Sequence, residues 1–548
     1  MDKKIQLLDC TLRDGAYVVD GEFGVPAIRG IIKKMEEANV DIIECGWLKD
    51  SPYRAGSSYF HVPADLESFI DKKNGNSVYA VMIDWDRYDL NFLPENNGKS
   101  IDAIRVVFPH GKHREGIAVG KEIEKKNYFV FYQAANTLAY SEEDLLDLAD
   151  CVNQTNASAL SVVDTFGAMY FEDLERIVRV LDGRLNKKIK LGFHSHNNQQ
   201  LSFALSMRFV ELTESLHRGS IVDSSLCGMG RGAGNATTEL LANYLNEKYN
   251  CNYDLNVVMD SIDMYMQYFQ ERYEWGYSIP YFIAGMYCCH VNNIAYLLKN
   301  HRTNAKDMKN IIESLSPSDR RKYDYDLLEN RYLENQSRIV DDEKTKEILR
   351  RDFENRKILL IAPGKTSSEE KDKIENYIKN NDPIIIAVNA LNTLYRFDYL
   401  FAINHVRYDY AKDVYKNQFA NTKKILLSNI KAEGESDEYI VNFNSVIKRG
   451  WEHFDNAVIV CLRLLEKLNV REVAVAGFDG FKTKYGDSYA DVSLPVLKTD
   501  NKWEELNEEI CAMFKDFLLS ARDKMKISFV TESIFSDVLQ TVGIKNIV

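Results

Sequence analysis

Eight short β-branched or aliphatic runs recur through the first 225 residues, each followed by a longer stretch that reads as helix, and this rhythm leaves few architectures open. The runs are IQLLD from Ile5, DIIECG from Asp41, VYAVMID from Val78, DAIRVV from Asp102, YFVFYQ from Tyr128, ALSVVD from Ala159, IKLGFH from Ile189 and SIVDSS from Ser220. Their starts lie 24 to 37 residues apart, room for a strand, a helix and two loops, which suits a closed parallel (β/α)8 barrel in the α/β class. A doubly wound sheet is the alternative. Polar residues collect where runs 1, 2, 6, 7 and 8 end, and a barrel brings those ends together at one mouth.

A chain of 548 residues exceeds what one hydrophobic core usually holds, so a second domain is expected beside the barrel. From about Ala236 to Arg350 the text turns helical and aromatic, then charged (VDDEKTKEILRRDFENRK). A second alternation of strand and helix follows, with runs from Lys357, Pro383, Phe397, Lys423, Glu438, Glu472 and Lys526. We therefore expect a barrel domain over residues 1–300, a helical connector over 301–350 and a Rossmann-like α/β domain over 351–548. No apolar run approaches the ~18 residues of a membrane span. The opening MDKKIQLLDC lacks the apolar core and cleavage site of a secretory signal. Nine cysteines without a CxxC pair suggest neither a disulfide framework nor a zinc-thiolate site, and point to a reducing cytoplasm. A net charge of -13 disfavours nucleic acid as a partner.

After run 1, Leu12, Arg13, Asp14 and Gly15 set a guanidinium and a carboxylate side by side, although an Arg-Asp surface turn closed by glycine would read the same way. Run 7 ends in His194, Ser195, His196, Asn197 and Asn198. Residues two apart in an extended segment point the same way, so two imidazoles converge there. Imidazole with carboxylate oxygen suits Mn, Fe, Co, Zn or Mg, and Asp14 is placed to complete such a site. The glycine-rich segment Gly228 to Asn235 lets backbone approach a ligand ahead of a helix-like run; it is not a dinucleotide fingerprint, because no acid ends a second strand behind it.

LLDCTLRDG, IIECG, VVDTFGAM, FHSHNN and GMGRGAGNATTE, in that order, resemble a metal-dependent aldolase and lyase superfamily. It includes 4-hydroxy-2-oxovalerate aldolase, 3-hydroxy-3-methylglutaryl-CoA lyase and 2-isopropylmalate synthase, and the likeness spans residues 1 to about 300. The resemblance implies that Asp14, His194 and His196 are metal ligands, that Asn235 is a fourth ligand or stands behind them, and that Arg13 is the catalytic cation. Glu44 matches the acid that completes the family's Asp-Arg-Glu signature, and Thr165 the hydroxyl that in the aldolases contacts the substrate carboxylate. It further implies a divalent metal, Mn2+ or Mg2+ ahead of Co2+ or Zn2+, and a 2-oxo acid substrate passing through pyruvate enolate.

The branch of the superfamily is harder to read. Claisen-type synthases continue the first motif as RDGEQ, whereas Ala16 and Tyr17 follow Gly15 here. The hydroxymethylglutaryl lyases place a Cys-Pro pair before the GN turn, whereas Cys227 precedes Gly228. The aldolases carry a histidine base where this chain has Tyr17, which puts Tyr17 or a water in that role. An acyl-CoA lyase or condensing enzyme is the alternative, and a barrel serving only as an assembly platform a third reading. Tyr277, Tyr281 and His290 are candidates for a lid over the mouth, against the plainer reading of packing aromatics.

In the second domain IAPGK is not a phosphate-binding P-loop, since Leu359 stands where that motif needs glycine. Gly364, Asn389, Asn404, His405, Gly477, Asp479 and Gly480 at strand ends outline a crevice for a nucleotide or sugar phosphate. The domain resembles Rossmann-like domains of bacterial surface-polysaccharide enzymes, including sialyltransferase-like ones, which implies a role in surface-carbohydrate synthesis; a scaffold domain is the alternative. Relatives often form dimers, so a homo-oligomer is expected.

Overall fold

The computed structural model describes residues 4–70, 73, 75–300, 304–336, 340–431, 434–448, 450–451, 456–482, 486–496 and 502–541. Residues 1–3, which open the segment read above as non-secretory, lie outside that set. The chain divides into two compact units, one of Met1–Ile294 with Ser316–Lys322, the other of Ala295–Leu315 with Tyr323–Val548. Among the described residues no helix is long and apolar enough to cross a membrane.

The first unit is a closed barrel of eight parallel strands: β1 (Ile5–Asp9), β2 (Ile42–Leu48), β3 (Val78–Asp84), β4 (Ala103–Phe108), β5 (Phe129–Ala134), β6 (Ala159–Asp164), β7 (Lys190–Ser195) and β8 (Ser220–Ser224). Each pairs with its sequence neighbours, and β1 pairs with both β2 and β8, which closes the ring. All eight runs expected from the sequence are strands of this barrel. Two of the eight connections depart from the expected helix. Among the described residues those after β2 and β3 carry only a two-residue strand, Tyr59–Phe60, and a 3-10 turn, Pro63–Leu66. Pro52, Gly56, Pro63 and Gly75 punctuate the first of these connections and Pro94 and Gly98 the second, and such residues interrupt a continuous helical ladder.

The pleat dictates what fills the barrel. Leu8, Ile42, Ala80, Ala103, Phe131, Ala159 and Ile221, one from each of seven strands, form an apolar layer across the interior. Two residues further along, on the same face by the period of a strand, stand Cys10, Glu44, Met82, Arg105, Gln133, Ser161 and Asp223. An apolar layer thus lies under a polar one at the carboxyl ends of the strands.

The second unit is a seven-stranded, wholly parallel sheet of β9 (Ile358–Ile361), β10 (Ile384–Val388), β11 (Tyr399–Ala402), β12 (Lys423–Leu427), β13 (Glu438–Val441), β14 (Glu472–Ala476) and β15 (Lys526–Phe529). All seven runs expected there are its strands. Their spatial order is β13-β12-β11-β10-β9-β14-β15, so the winding reverses at β9. Its central strands β9, β10 and β14 are near-continuous Ile, Leu, Val and Ala because apolar clusters cover both faces.

Candidate metal centre

The first site residues follow from how β1 ends. Asp9 accepts hydrogen bonds from Thr11 N and Thr11 Oγ1, each at 3.0 Å, and from Thr238 Oγ1 at 2.6 Å, fixing the turn that carries Thr11–Asp14. Burial nevertheless pushes the Asp9 carboxyl up to about 6. On that turn Arg13 and Asp14 are buried, and Trp47 Nε1 donates to the Arg13 carbonyl at 3.0 Å, tying the turn to β2.

A chain of buried charge runs from Arg13 across the barrel. Arg13 donates from Nη1 to Asp14 Oδ1 at 2.5 Å and from Nε to Glu44 Oε2 at 2.8 Å. Arg105 Nη1 donates to the same Glu44 oxygen at 2.7 Å, and its Nη2 donates to Gln133 Oε1 at 2.9 Å and to Asp223. Asp223 Oδ2 in turn lies 3.1 Å from His194 Nδ1. Two guanidinium groups, Arg13 and Arg105, face three carboxylates, Asp14, Glu44 and Asp223, which leaves one net negative charge among these five groups. Burial favours the neutral acid, but Arg105 and then His194 outweigh it and hold the Asp223 carboxyl below its ordinary value.

The three residues the resemblance gives as ligands meet at one end of this chain. Asp14, His194 and His196 each bring one ligand atom into a set whose members all lie within 4.8 Å of one another. Against burial, Arg13, His196 and His194 hold Asp14 ionised, well below the carboxylate range. Burial pushes the His196 imidazole down to about 4, so it stays neutral as a metal ligand must. Its Nδ1 is buried without a hydrogen-bond partner, as is Asn235 Oδ1, and orphaned acceptors of this kind ask for a cation. Asn235 Nδ2 donates to Asp14 Oδ2 at 2.7 Å, so the amide lies directly behind a ligand carboxylate. A Cβ on Gly230 would stand 2.4 Å from both that nitrogen and that oxygen, so only glycine fits there. Two imidazoles, an ionised carboxylate and a net negative surround fit a divalent cation of the Mn, Fe, Co, Zn or Mg group. Asp223 Oδ2 stands at ion-pair distance from His194 Nδ1, 3.1 Å, although that nitrogen, like His196 Nδ1, makes no hydrogen bond.

Asp14, His194 and His196 open into a cavity of about 160 Å3 that Arg13, Tyr17, Thr165, Arg231 and His290 also line. Thr165 Oγ1 accepts from Asn136 N at 2.7 Å. Glu44 is absent from the lining and sits beneath Arg13 as its anchor. Burial pushes the Tyr17 phenol up to about 12, with Arg231 pulling the other way. Of the three residues considered for a lid, His290 reaches the cavity wall, whereas Tyr277 is exposed and neither it nor Tyr281 lines the cavity. Burial and then the Arg231 guanidinium push His290 down to about 3.

The sequence reading missed Arg105, Asp223, Gln133 and Arg231. For Arg105 and Asp223 a signal existed: each is the one charge in its strand, at the parity that faces the barrel interior.

In the second unit a cavity of about 140 Å3 is lined by Gly364, Asn389, Gly477, Asp479 and Gly480, at the carboxyl ends of β9, β10 and β14. Asn404 is not part of that lining; its side chain caps the helix His405–Val414, accepting from Arg407 N at 3.2 Å. Asp479 is engaged by Thr366, whose backbone N donates at 2.8 Å.

Comparison with known proteins agrees with the barrel reading. Residues 111–264 match the HMGL-like family model. The chain is 26% identical over 267 residues to the 4-hydroxy-2-oxovalerate aldolase of Bacillus cereus, covering 47% of this chain and 75% of that one. It is 25% identical over 318 residues to the enzyme of that name from Moorella thermoacetica, covering 56% and 88%. Among solved structures, the N-terminal domain of a candidate aldolase from Bacteroides vulgatus is 24% identical, with a TM-score of 0.46, over 53% of this chain and 95% of that one. The first unit is thus a closed eight-stranded parallel barrel, of which residues 111–264 match the HMGL-like family model.

Proposed function

We propose that the first unit is a divalent-metal-dependent aldolase that cleaves or forms the C3–C4 bond of a 4-hydroxy-2-oxo acid through pyruvate enolate. The reading draws on the aldolases to which the chain is similar and on one observation above all. Nε and Nη1 of Arg13 are taken by Glu44 and Asp14, which leaves Nη2 as a buried donor without a partner on a residue of the cavity wall. A preorganised cationic N–H beside a ligand triad is what a developing enolate oxygen requires. A divalent ion held by Asp14, His194 and His196 would supply Lewis-acid polarisation of the 2-oxo group.

In the cleavage direction a base takes the proton of the 4-hydroxyl, the C3–C4 bond breaks and releases an aldehyde, and the electron pair passes to the oxygen on C2. Arg13 Nη2 donates to that oxygen. Protonation at C3 then gives pyruvate. Tyr17 lines the cavity and its phenol is protonated at neutral pH, so we assign it as the donor to C3 rather than the base expected from the sequence. His290 at the same wall is held down at about 3 and its ring nitrogens face Arg231 and Asn292 N, so we assign the acceptor role to a water in the cavity, the other candidate expected from the sequence. Thr165 stands at the wall to receive the substrate carboxylate.

The test is release of pyruvate from 4-hydroxy-2-oxo acids by the Mn2+-loaded chain, read by coupled reduction to lactate, beside release of acetyl-CoA from hydroxyacyl-CoA thioesters. Pyruvate that disappears with Arg13→Gln is the expected result; acetyl-CoA alone transfers the assignment to the acyl-CoA lyases.

For the second unit we read a Rossmann-like domain whose crevice takes a nucleotide or sugar phosphate, in keeping with a role in surface-carbohydrate synthesis. Its support is the position of the cavity, beside the strand where the winding reverses, the usual place for ligands in open parallel sheets. A Cβ on Gly364 would meet Gly477 O at 2.4 Å, so the crevice edge depends on glycine. Thermal-shift titration with nucleoside mono- and diphosphates and with sugar phosphates tests it; no shift with any of them refutes it.

A further inference from the structure

One cation of the barrel cavity has no part in the scheme above. Arg231 projects from the glycine-rich segment after β8, and its guanidinium lies 4.8 Å over the Tyr17 ring. Its Nη2 reaches Asn292 Oδ1 at 2.6 Å and His290 Nε2 at 3.3 Å. All three partners are neutral, and among the described residues no carboxylate pairs with the guanidinium. The contrast with its neighbours is sharp in charge: Arg13 holds Asp14 and Glu44, and Lys49 pairs with Asp84 of the cavity wall at 3.4 Å. The cavity therefore contains one half-buried positive charge that the protein leaves uncompensated.

Its placement is as telling as its charge. Arg13 lies 5.9 Å from the Trp47 ring centroid, Trp47 meets Tyr17 edge-on at 6.0 Å, and Arg231 covers Tyr17. The two guanidinium groups bracket one aromatic pair along the cavity wall: that of Arg13 bonds to Asp14 of the triad, while Arg231 approaches Asp14 Oδ2 with its backbone N at 3.4 Å and lays its guanidinium over Tyr17. A molecule whose 2-oxo acid end is engaged at Arg13 and the triad presents its far end along that wall toward Arg231. Asn292 and His290 hold the guanidinium in a fixed orientation, and a fixed planar fork of donors suits a carboxylate or phosphate.

We propose that Arg231 determines substrate specificity by binding a second anionic group, so that the aldehyde half of the substrate carries a carboxylate or phosphate. The inference rests on the 2-oxo acid reading of the same cavity and narrows it: neutral aldehydes are poor partners, and the substrate is a dianion or its phosphorylated counterpart.

Calorimetric binding to the Mn2+-loaded full chain tests this without turnover. The probes are 2-oxoglutarate and 2-oxopentanoate, which share a chain length and differ in the distal carboxylate; 5-phosphooxy-2-oxopentanoate adds the phosphate arm and, lacking a 4-hydroxyl, is not cleaved. The wild type is expected to bind at least one anionic probe about tenfold or more tightly than 2-oxopentanoate, the range for a charge-assisted pair. That ratio falls to about one in Arg231→Gln, and Arg231→Lys retains part of it. Whichever anion gains more identifies the group. Equal affinities in the wild type, or a preference that survives Arg231→Gln, overturn the proposal while the aldolase reading stands. Failure of the wild type to bind any 2-oxo acid, pyruvate included, sinks that reading and this one with it.

Discussion

Replacing Arg105 with Met should unsettle the first unit more than any change at its surface. Arg105 is almost wholly buried and donates to Glu44, Gln133 and Asp223 from the middle of β4. Removing it takes the buried network from one net negative charge to two and strips a cation from two carboxylates at once. Breaking one side of a buried ion pair typically costs 3–5 kcal/mol. Because Glu44 keeps Arg13 and Asp223 keeps His194, the lower end applies, about 3 kcal/mol. For a unit of this size that corresponds to a fall of roughly 6 °C in Tm by scanning calorimetry. The effect carries a sign in pH. Without Arg105 the two carboxylates have raised native values, so the penalty is full well above those values and is relieved as the pH falls through them. The gap between wild type and variant should therefore narrow from pH 8 to pH 5. A variant that melts within about 1 °C of wild type at pH 8, or a gap of the same size at both pH values, would refute the view that this network holds the site together.

Asp14→Asn and His194→Ala should each abolish bound divalent metal, measured by elemental analysis, while the far-ultraviolet circular dichroism stays that of a folded chain. Gly230→Ala should weaken metal binding about 10- to 100-fold, because the new methyl group meets Asp14 Oδ2 and Asn235 Nδ2 at 2.4 Å; unchanged affinity in a metal titration counts against the proposed ligand. Asp9 has a native value of about 6 against an ordinary 3.8, so its favourable contribution is full below the ordinary value and is lost as the pH rises through 6. Compared by urea unfolding, Asp9→Asn should gain on wild type by about 2–3 kcal/mol between pH 4 and pH 7, and a constant difference would contradict the assignment.

What could be read in advance divides along physical lines. Strand runs announce themselves locally, and so the eight barrel strands and the seven of the second sheet fall on runs visible in the sequence, while the short Tyr59–Phe60 strand does not. His194 and His196 were legible because they share a strand face, and Arg13 with Asp14 because they are adjacent. Contacts between distant segments were not. Arg105 meets Asp223 across 118 positions, and Arg231 meets His290 across 59, so neither pairing has a local pattern. The missing helices after β2 and β3 were masked by counting spacing alone, although their prolines and glycines carried the warning. Tyr17 shows a different limit, since its residue type is plain in the sequence but its elevated value arises from burial that only the fold supplies. Asn404 sits at a strand end like its neighbours, yet its side chain is spent on a helix cap.

Anomalous diffraction from crystals of the full chain soaked in Mn2+ addresses the metal centre itself. The account requires one strong peak about 2.2 Å from an Asp14 carboxylate oxygen and from a nitrogen of each of His194 and His196, with Arg13 alongside. A peak elsewhere in the barrel, or none between those three side chains at saturating manganese, would contradict it.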